Sequence, residues 1–412
     1  MLDLDCVLEF EPSLNADFFA MLPSQPGVFL IEMKDAGAFP YLGRTADIRR
    51  AGERLLRAPD ALSKRLNLRE VAARVRYRVT GSKFEQTLAL YEQARAHFPT
   101  RYRDFVRLRP PALLKVNLRN EYPRLYVTRR IASGLGFYLG PFGSRRSAEG
   151  FSEGFLDLFK IRRCQIKIRR DPNFPGCIYS EMKMCLAPCF AGCTKEEYDA
   201  EVTRVLETLE TRGAALADRL EREREVASEG LDFERAAVLH KRLEKASGQM
   251  HGLPELARRI DKLDAVILQR AAEEKTIIVF PIHGGVLAQP IFLRFAELSS
   301  QPRSVEAILR HDLEPNIAPD KKSGTAEVPG EQLEGTAEKA AESAHGGKHR
   351  FGSGSADLAD HLSLVARWFY SKPREGEIFF RENDWPYRRI LRACGRLLAP
   401  PGSRQAEVPP PK

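Results

Sequence analysis

The chain is poor in cysteine, with 7 in 412 residues, at positions 6, 164, 177, 185, 189, 193 and 394. So sparse and uneven a distribution excludes a disulfide-dense secreted scaffold. No N-terminal stretch combines a basic start, an apolar core and a small-residue cleavage site, and no apolar run reaches the roughly 20 residues that span a bilayer. A reducing, cytoplasmic setting is the expectation, and there clustered thiols serve a metal better than a disulfide. Acid is scarce in one region. Between residues 51 and 170, 27 lysines and arginines face 10 aspartates and glutamates, whereas the whole chain carries a formal charge of only +9. The remainder is therefore net acidic. Such asymmetry fits contacts to phosphates, and a solvated basic face is the alternative that charge alone leaves standing.

What the chain does hold is a cluster. Cys164, Cys177, Cys185 and Cys189 fall at C-x12-C-x7-C-x3-C, the last two within Met184-Cys185-Leu186-Ala187-Pro188-Cys189. Zinc knuckles bring ligands as closely spaced pairs, whereas these spacings suit thiolates wrapped around an iron–sulfur cube, expected as 4Fe-4S. Buried cysteines packing as small hydrophobes, or an incidental disulfide, are the other readings. Cys193 continues the every-fourth-residue spacing of Cys185 and Cys189 and is either spare or a substitute ligand.

After the cluster, Thr194 caps a run with Glu196 and Glu197 in its first turn. The amphipathic spacing of Val202, Val205, Leu209, Leu216 and Leu220 predicts one helix up to the Ser228-Glu229-Gly230 break. Asp232 caps a second helix, on which Phe233, Ala236, Ala237 and Leu243 share a face widened by Val238 and Leu239. By pattern alone this is an internal helical hairpin as readily as a docking surface.

Near the N-terminus, Gly27-Val28-Phe29-Leu30-Ile31 reads as a strand, Tyr41-Leu42-Gly43-Arg44 as a second, and helix-forming residues follow from Ala46. Arginines 101, 103, 107 and 109 form one basic concentration, and Arg162, Arg163, Lys167, Arg169 and Arg170 form another beside the first clustered cysteine. Beyond the hairpin, residues 263–268, 275–280 and 290–293 read as a β-meander turning at Gly284-Gly285.

Together these motifs resemble the N-terminal half of the UvrC family, the nuclease component of the excinuclease ABC system in bacterial nucleotide excision repair. Gly-[Val/Ile]-[Tyr/Phe] paired with Tyr-x-Gly resembles its GIY-YIG nuclease domain, and the cysteines resemble its middle region. Leu231-Asp232-Phe233-Glu234-Arg235-Ala236-Ala237 resembles the UVR motif through which UvrB and UvrC pair. The resemblance implies metal-dependent phosphodiester hydrolysis with Tyr41, Arg44 and Glu92 as catalytic residues, a Mg or Mn ion at Glu92, and DNA as substrate. It also implies cluster ligation by the four cysteines, DNA contacts from Arg50, Arg54, Arg162 and Arg163, and docking of UvrB or another UVR-containing repair protein by Phe233, Ala236, Ala237 and Leu243. Three positions depart from the family: Phe29 replaces a tyrosine, Ala51 an arginine and Leu113 an asparagine. Groups that act as a unit compensate poorly for one another, so a degenerate, DNA-binding domain is expected, with retained endonuclease activity as the alternative.

The fold class expected is α+β and multidomain. A GIY-YIG-like domain spans residues 1–100, the basic connector and cysteine region 101–193, the UVR hairpin 194–250 and the β-meander 251–313. A linker over 314–356, a helical and strand segment over 357–398 and a frayed tail over 399–412 complete it. Neither the aspartates of the family's second, RNase H-like nuclease nor helix-hairpin-helix repeats are found.

Overall fold

A computed structural model of the chain describes residues 2–13, 16–58, 65–132, 136–298, 304–314 and 355–399. The expected linker and tail fall almost wholly outside them. At the N-terminus four antiparallel strands, β1 (Cys6–Glu9), β2 (Gly27–Met33), β3 (Tyr41–Thr45) and β4 (Ala72–Val79), lie in the order β1-β4-β2-β3. Helices α1 (Ala16–Met21) and α2 (Ile48–Leu56) cover one face, and α3 (Lys83–His97) covers the other. Asp47 starts α2 by accepting the Arg50 amide at 2.9 Å. The stripe of Ile48, Ala51 and Leu55 then buries against Phe29, Ile31 and Tyr77. Gly43 is needed opposite Phe29, because a Cβ there would stand 2.8 Å from the ring.

Strand β4 alternates Val75, Tyr77 and Val79 with Arg74, Arg76 and Arg78. Arg74 pairs with Glu9 and Glu32, Arg76 with Glu32, and Arg78 with Asp5 and Glu85. Part of the basic excess is thus neutralised within the sheet.

The middle of the chain begins with α4 (Tyr102–Val106), β5 (Ala112–Val116), β6 (Leu125–Thr128), β7 (Phe137–Phe142) and α5 (Arg145–Leu156). After the cysteine loop, which holds the short α6 (Ile178–Glu181), come α7 (Lys195–Glu210), α8 (Ala214–Glu229) and α9 (Phe233–His251). Strand β8 (Arg258–Arg259) returns to close a sheet of order β6-β5-β7-β8. The single helix expected from Lys195 to Ser228 is two. Arg212 and Gly213 take left-handed φ values of 53° and 96°, and the Gly213 amide donates to Thr208 O at 2.8 Å, which locks the end of α7. Leu209 and Leu216 keep helical register across the break, which hides it from periodicity.

The third unit contains β9 (Ala265–Arg270), β10 (Thr276–His283), β11 (Val286–Leu287), β12 (Ile291–Arg294), α10 (Phe295–Leu298) and α11 (Val305–Leu313). The later α12 (Ser355–Phe369), β13 (Glu377–Phe380) and α13 (Tyr387–Leu398) pack onto it. Its sheet runs β11-β10-β9-β13, with β12 also paired to β10. The segment over 357–398 therefore returns to the meander.

Helix α3 sits between the first and third units. Phe84, Leu88 and Tyr91 share one apolar core with Leu30 and Leu42 on one side and with Phe280, Leu362 and Trp368 on the other. The Phe84 and Phe280 rings meet edge-on with centroids 5.0 Å apart. Ion pairs flank this contact: Arg95 with Asp357 at 2.7 Å and Arg103 with Asp360 at 3.0 Å. Fully burying each such apolar side chain contributes about 1.5–3 kcal/mol, so α3 ties the chain's two ends together. The architecture is α+β, with antiparallel sheets and helices packed upon them.

Candidate nuclease-like site, cysteine loop and hairpin

Sheet register decides which nuclease-like residues can meet. Tyr41 lies opposite Ile31, and Gly43 opposite Phe29, so Tyr41 and Phe29 share the face covered by α2. Their rings stack with centroids 6.0 Å apart and planes 30° apart. Arg44 lies opposite Val28 and occupies the other face, where its Nη1 reaches the Thr87 hydroxyl of α3 at 3.5 Å. Glu92, also on α3, accepts the Leu2 amide. Leu2 belongs to the segment whose neighbours Asp3 and Leu4 are held by Arg78 and Arg76 of β4, a strand separated from β3 by β2. Among the described residues no hydrogen bond or ion pair joins Tyr41, Arg44 and Glu92. Burial raises the pKa of Glu92, partly offset by the Leu2 amide.

The three departures from the resembling family are core positions. Phe29 packs its ring on Gly43. Ala51 is buried in the α2 face, whereas Arg50 and Arg54 point outward, Arg50 beside Asp47 at 3.6 Å. Leu113 is fully buried in β5, opposite Thr128. The pattern shows that polar groups are missing; the structure adds that apolar packing has taken their places.

In the cysteine loop, as elsewhere in the chain, the thiols are unbridged. The Cys185 thiol is pushed up to about 11, mainly by burial, with the Ala187 amide lowering it and the thiols of Cys164, Cys189 and Cys177 raising it further. The Ala187 amide points at Cys185 Sγ at 3.3 Å, and Arg162 Nη1 lies 3.9 Å from Cys164 Sγ. Lys183, Ala187 and Ala191 all take left-handed φ between 56° and 61°, a concentration of strain that in proteins gathers at functional sites. Cys193 stands apart, buried in the core that holds Tyr122 and Tyr198. Among the described residues no three His, Cys, Asp or Glu side chains converge to hold a metal ion. Four sulfurs around one zinc would crowd to within about 4 Å of each other, given Zn–S bonds of about 2.3 Å, and a cube spreads its ligands wider. The four-thiol donor set fits a cluster by its chemistry; at Glu92 one carboxylate oxygen accepts the Leu2 amide.

The four arginines expected on DNA divide. Arg54 is exposed, as is Arg50. Arg162 is only 6% exposed and donates from Nε to Tyr122 O at 2.7 Å and from Nη1 to Cys164 O and Ile166 O. It braces the cysteine loop and has almost no surface to offer a phosphate. Arg163 is paired with Asp157 at 3.0 Å. Backbone carbonyls take the Nε and Nη1 donors of Arg162, which leaves little of its side chain for the expected phosphate role.

The hairpin residues divide too. Ala236, Leu239, Leu243, Ala246 and Met250 form the inward stripe of α9 against α8 and the middle core. Phe233 is 65% exposed, and Ala237 and Val238 are exposed beside it. Val226 and Leu231 join them at the hairpin tip. An internal hairpin and an uncovered apolar surface are both present, on different faces of one helix.

This sheet, cysteine loop and following helix are the part of the chain that is similar to a described family. Residues 112–208 match the family model for the UvrC/Cho excinuclease middle domain. The chain is 29% identical over 273 residues to UvrABC system protein C of Dehalococcoides mccartyi strain CBDB1, covering 65% of this chain and 44% of the relative. It is 26% identical over 293 residues to the protein of the same name from Carboxydothermus hydrogenoformans, covering 70% and 47%. With that of Syntrophomonas wolfei the identity is 24% over 307 residues, covering 73% and 50%. The chain thus spans about half the length of the curated relatives it matches. No solved structure matches it.

Proposed function

We propose that the chain is a DNA-binding protein of nucleotide excision repair whose GIY-YIG-like domain no longer cuts. The observation that carries this reading is that Phe29, Ala51 and Leu113 are packing residues at positions where the resembling family places a phenol, a guanidinium and an amide. Hydrolysis needs a base, a cation site and positive charge on the phosphate in one place. Here Tyr41 and Arg44 face opposite sides of the sheet, and Glu92 is spent on an amide.

The hairpin tip supports docking of UvrB or another UVR-containing protein through Val226, Leu231, Phe233 and Val238. Cys164, Cys177, Cys185 and Cys189 would hold an iron–sulfur cluster, which would brace the loop between α5 and α7; iron and sulfide content after anaerobic purification tests this. DNA contacts fall to exposed cations such as Arg50, Arg54, Arg101, Arg107 and Arg109.

A nicking assay on a lesion-bearing duplex, with and without UvrB and with Mg2+ or Mn2+, tests the reading. No strand cleavage is expected. Nicking by the unmodified chain that Glu92→Gln abolishes would establish the enzyme reading instead.

A further inference from the structure

On the loop between β2 and β3, Phe39 stands 76% exposed. It is not an isolated surface ring. It stacks on Phe98, with centroids 5.9 Å apart and planes 29° apart, and Phe98 stacks on Phe105 at 4.6 Å and 26°. Phe98 also packs onto the core beneath, and Phe105 is itself 36% exposed. The result is a column of three stacked rings, anchored at its centre, whose outermost ring projects into solvent. Single exposed apolar residues are ordinary on a protein surface, but an anchored column of rings is a prepared aromatic surface.

Its surroundings are cationic. From Phe98 to Arg109 the chain carries four arginines and one acid, Asp104. Arg103 is paired with Asp360, whereas Arg101, Arg107 and Arg109 are exposed and have no ion pair among the described residues. The segment is fixed in place. Arg107 takes a left-handed φ of 49°, and Arg367 of α12 donates to the carbonyls of Val106 and Arg107 at 2.6 and 2.5 Å. The nearby acid of the β2–β3 loop, Asp35, is turned onto the Gly37 amide at 2.9 Å. Phe39 is also two residues from Tyr41, so a strand lying on the column would continue along the exposed edge of β3 toward Arg44.

Aromatic faces among unpaired cations are the arrangement by which proteins hold single-stranded nucleic acid: bases stack on rings in any sequence context while the backbone follows the positive charge. We propose that Phe39, Phe98 and Phe105 form a stacking platform for an unstacked base of a DNA strand, with Arg101, Arg107 and Arg109 on the flanking phosphates. This rests on the DNA-binding reading above and adds to it a place and a preference, for unpaired over paired DNA. A purely apolar protein partner would have no use for the three unpaired cations.

The test uses the full chain with a single-stranded oligonucleotide carrying one 2-aminopurine, and a duplex of the same sequence. The unmodified chain should bind the single strand and quench the stacked 2-aminopurine. Phe39→Ala, at an exposed site, should keep the fold yet weaken single-strand binding on the order of 5- to 150-fold, while duplex affinity stays unchanged. Phe39→Tyr should restore binding and Phe39→Leu should not, which separates stacking from apolar contact. Arg109→Gln should lower the slope of log K against log salt by about 0.7. If Phe39→Ala or Phe39→Leu binds the single strand as well as the parent does, the platform is wrong while DNA binding stands. An equal loss on both substrates also refutes it. No binding of either DNA by the parent overturns both readings.

Discussion

Glu92 is held where its charge is unwelcome. A native pKa raised by burial above the unfolded value penalises the ionised form in the folded state alone. Its contribution to stability is therefore greatest below the ordinary glutamate pKa of about 4.3 and is lost as pH rises through the raised native value. Glu92→Gln keeps an oxygen for the Leu2 amide and removes the charge. It should raise stability near neutral pH in urea denaturation and flatten the pH dependence on the acid side. A variant less stable than the parent at neutral pH would show that the carboxylate is stabilised as an anion, as a cation ligand would be. The neighbouring departures carry a related lesson. That Ala51 and Leu113 are apolar is legible in the sequence; that they are buried is not, because burial depends on what packs over them. Restoring an amide at Leu113 would place an unpaired polar group in a filled core, at a cost of about 3 kcal/mol.

Among the elements, α9 separates stability from recognition along one helix. Leu239→Ala, on the inward stripe, should destabilise the chain by about 2–5 kcal/mol. Phe233→Ala, at the exposed tip, should change stability by no more than about 0.5 kcal/mol. The same Phe233→Ala should weaken capture of UvrB by about 2 kcal/mol if the ring is an interface anchor. Unfolding by Phe233→Ala with partner binding retained would make the hairpin plain core. The two caps, Thr194 and Asp232, and the break at Gly230 are visible in the sequence because capping is local chemistry. Which of two adjoining apolar stripes faces inward is not visible, since α8 decides it. The α7–α8 break escapes a sequence reading for the same reason: periodicity records register, and the turn at Arg212-Gly213 preserves it. Cys185 and Cys189 announce the cysteine loop by spacing, yet the role of Arg162 as its brace depends on carbonyls that include one far from it in sequence.

At the scale of the whole molecule, the sequence suggests separate modules and the structure joins two of them. The strands of the first and third units are each legible as short apolar runs between turn residues. Their shared core is not, because α3 is buried on two sides and so lacks the one-faced pattern by which a helix declares its partner. A chain ending after residue 313 would uncover the α3 surface that meets Leu362, Val365 and Trp368 and leave β9 without β13. It should lose the cooperative thermal transition seen by circular dichroism. If residues 1–313 melt as sharply as the full chain, the N-terminal unit folds independently of α12.

Placing α3 against α12 also sets a clock. Tyr102 and Asp360 bond across 258 residues, so during synthesis the nuclease-like sheet leaves the ribosome long before its cover exists. At about 5–20 residues per second, the apolar side of α3 waits roughly 13 to 50 s for α12 to be made. For that interval the nascent chain presents the surface that chaperones bind, and its yield in the cell depends on translation speed between the two helices.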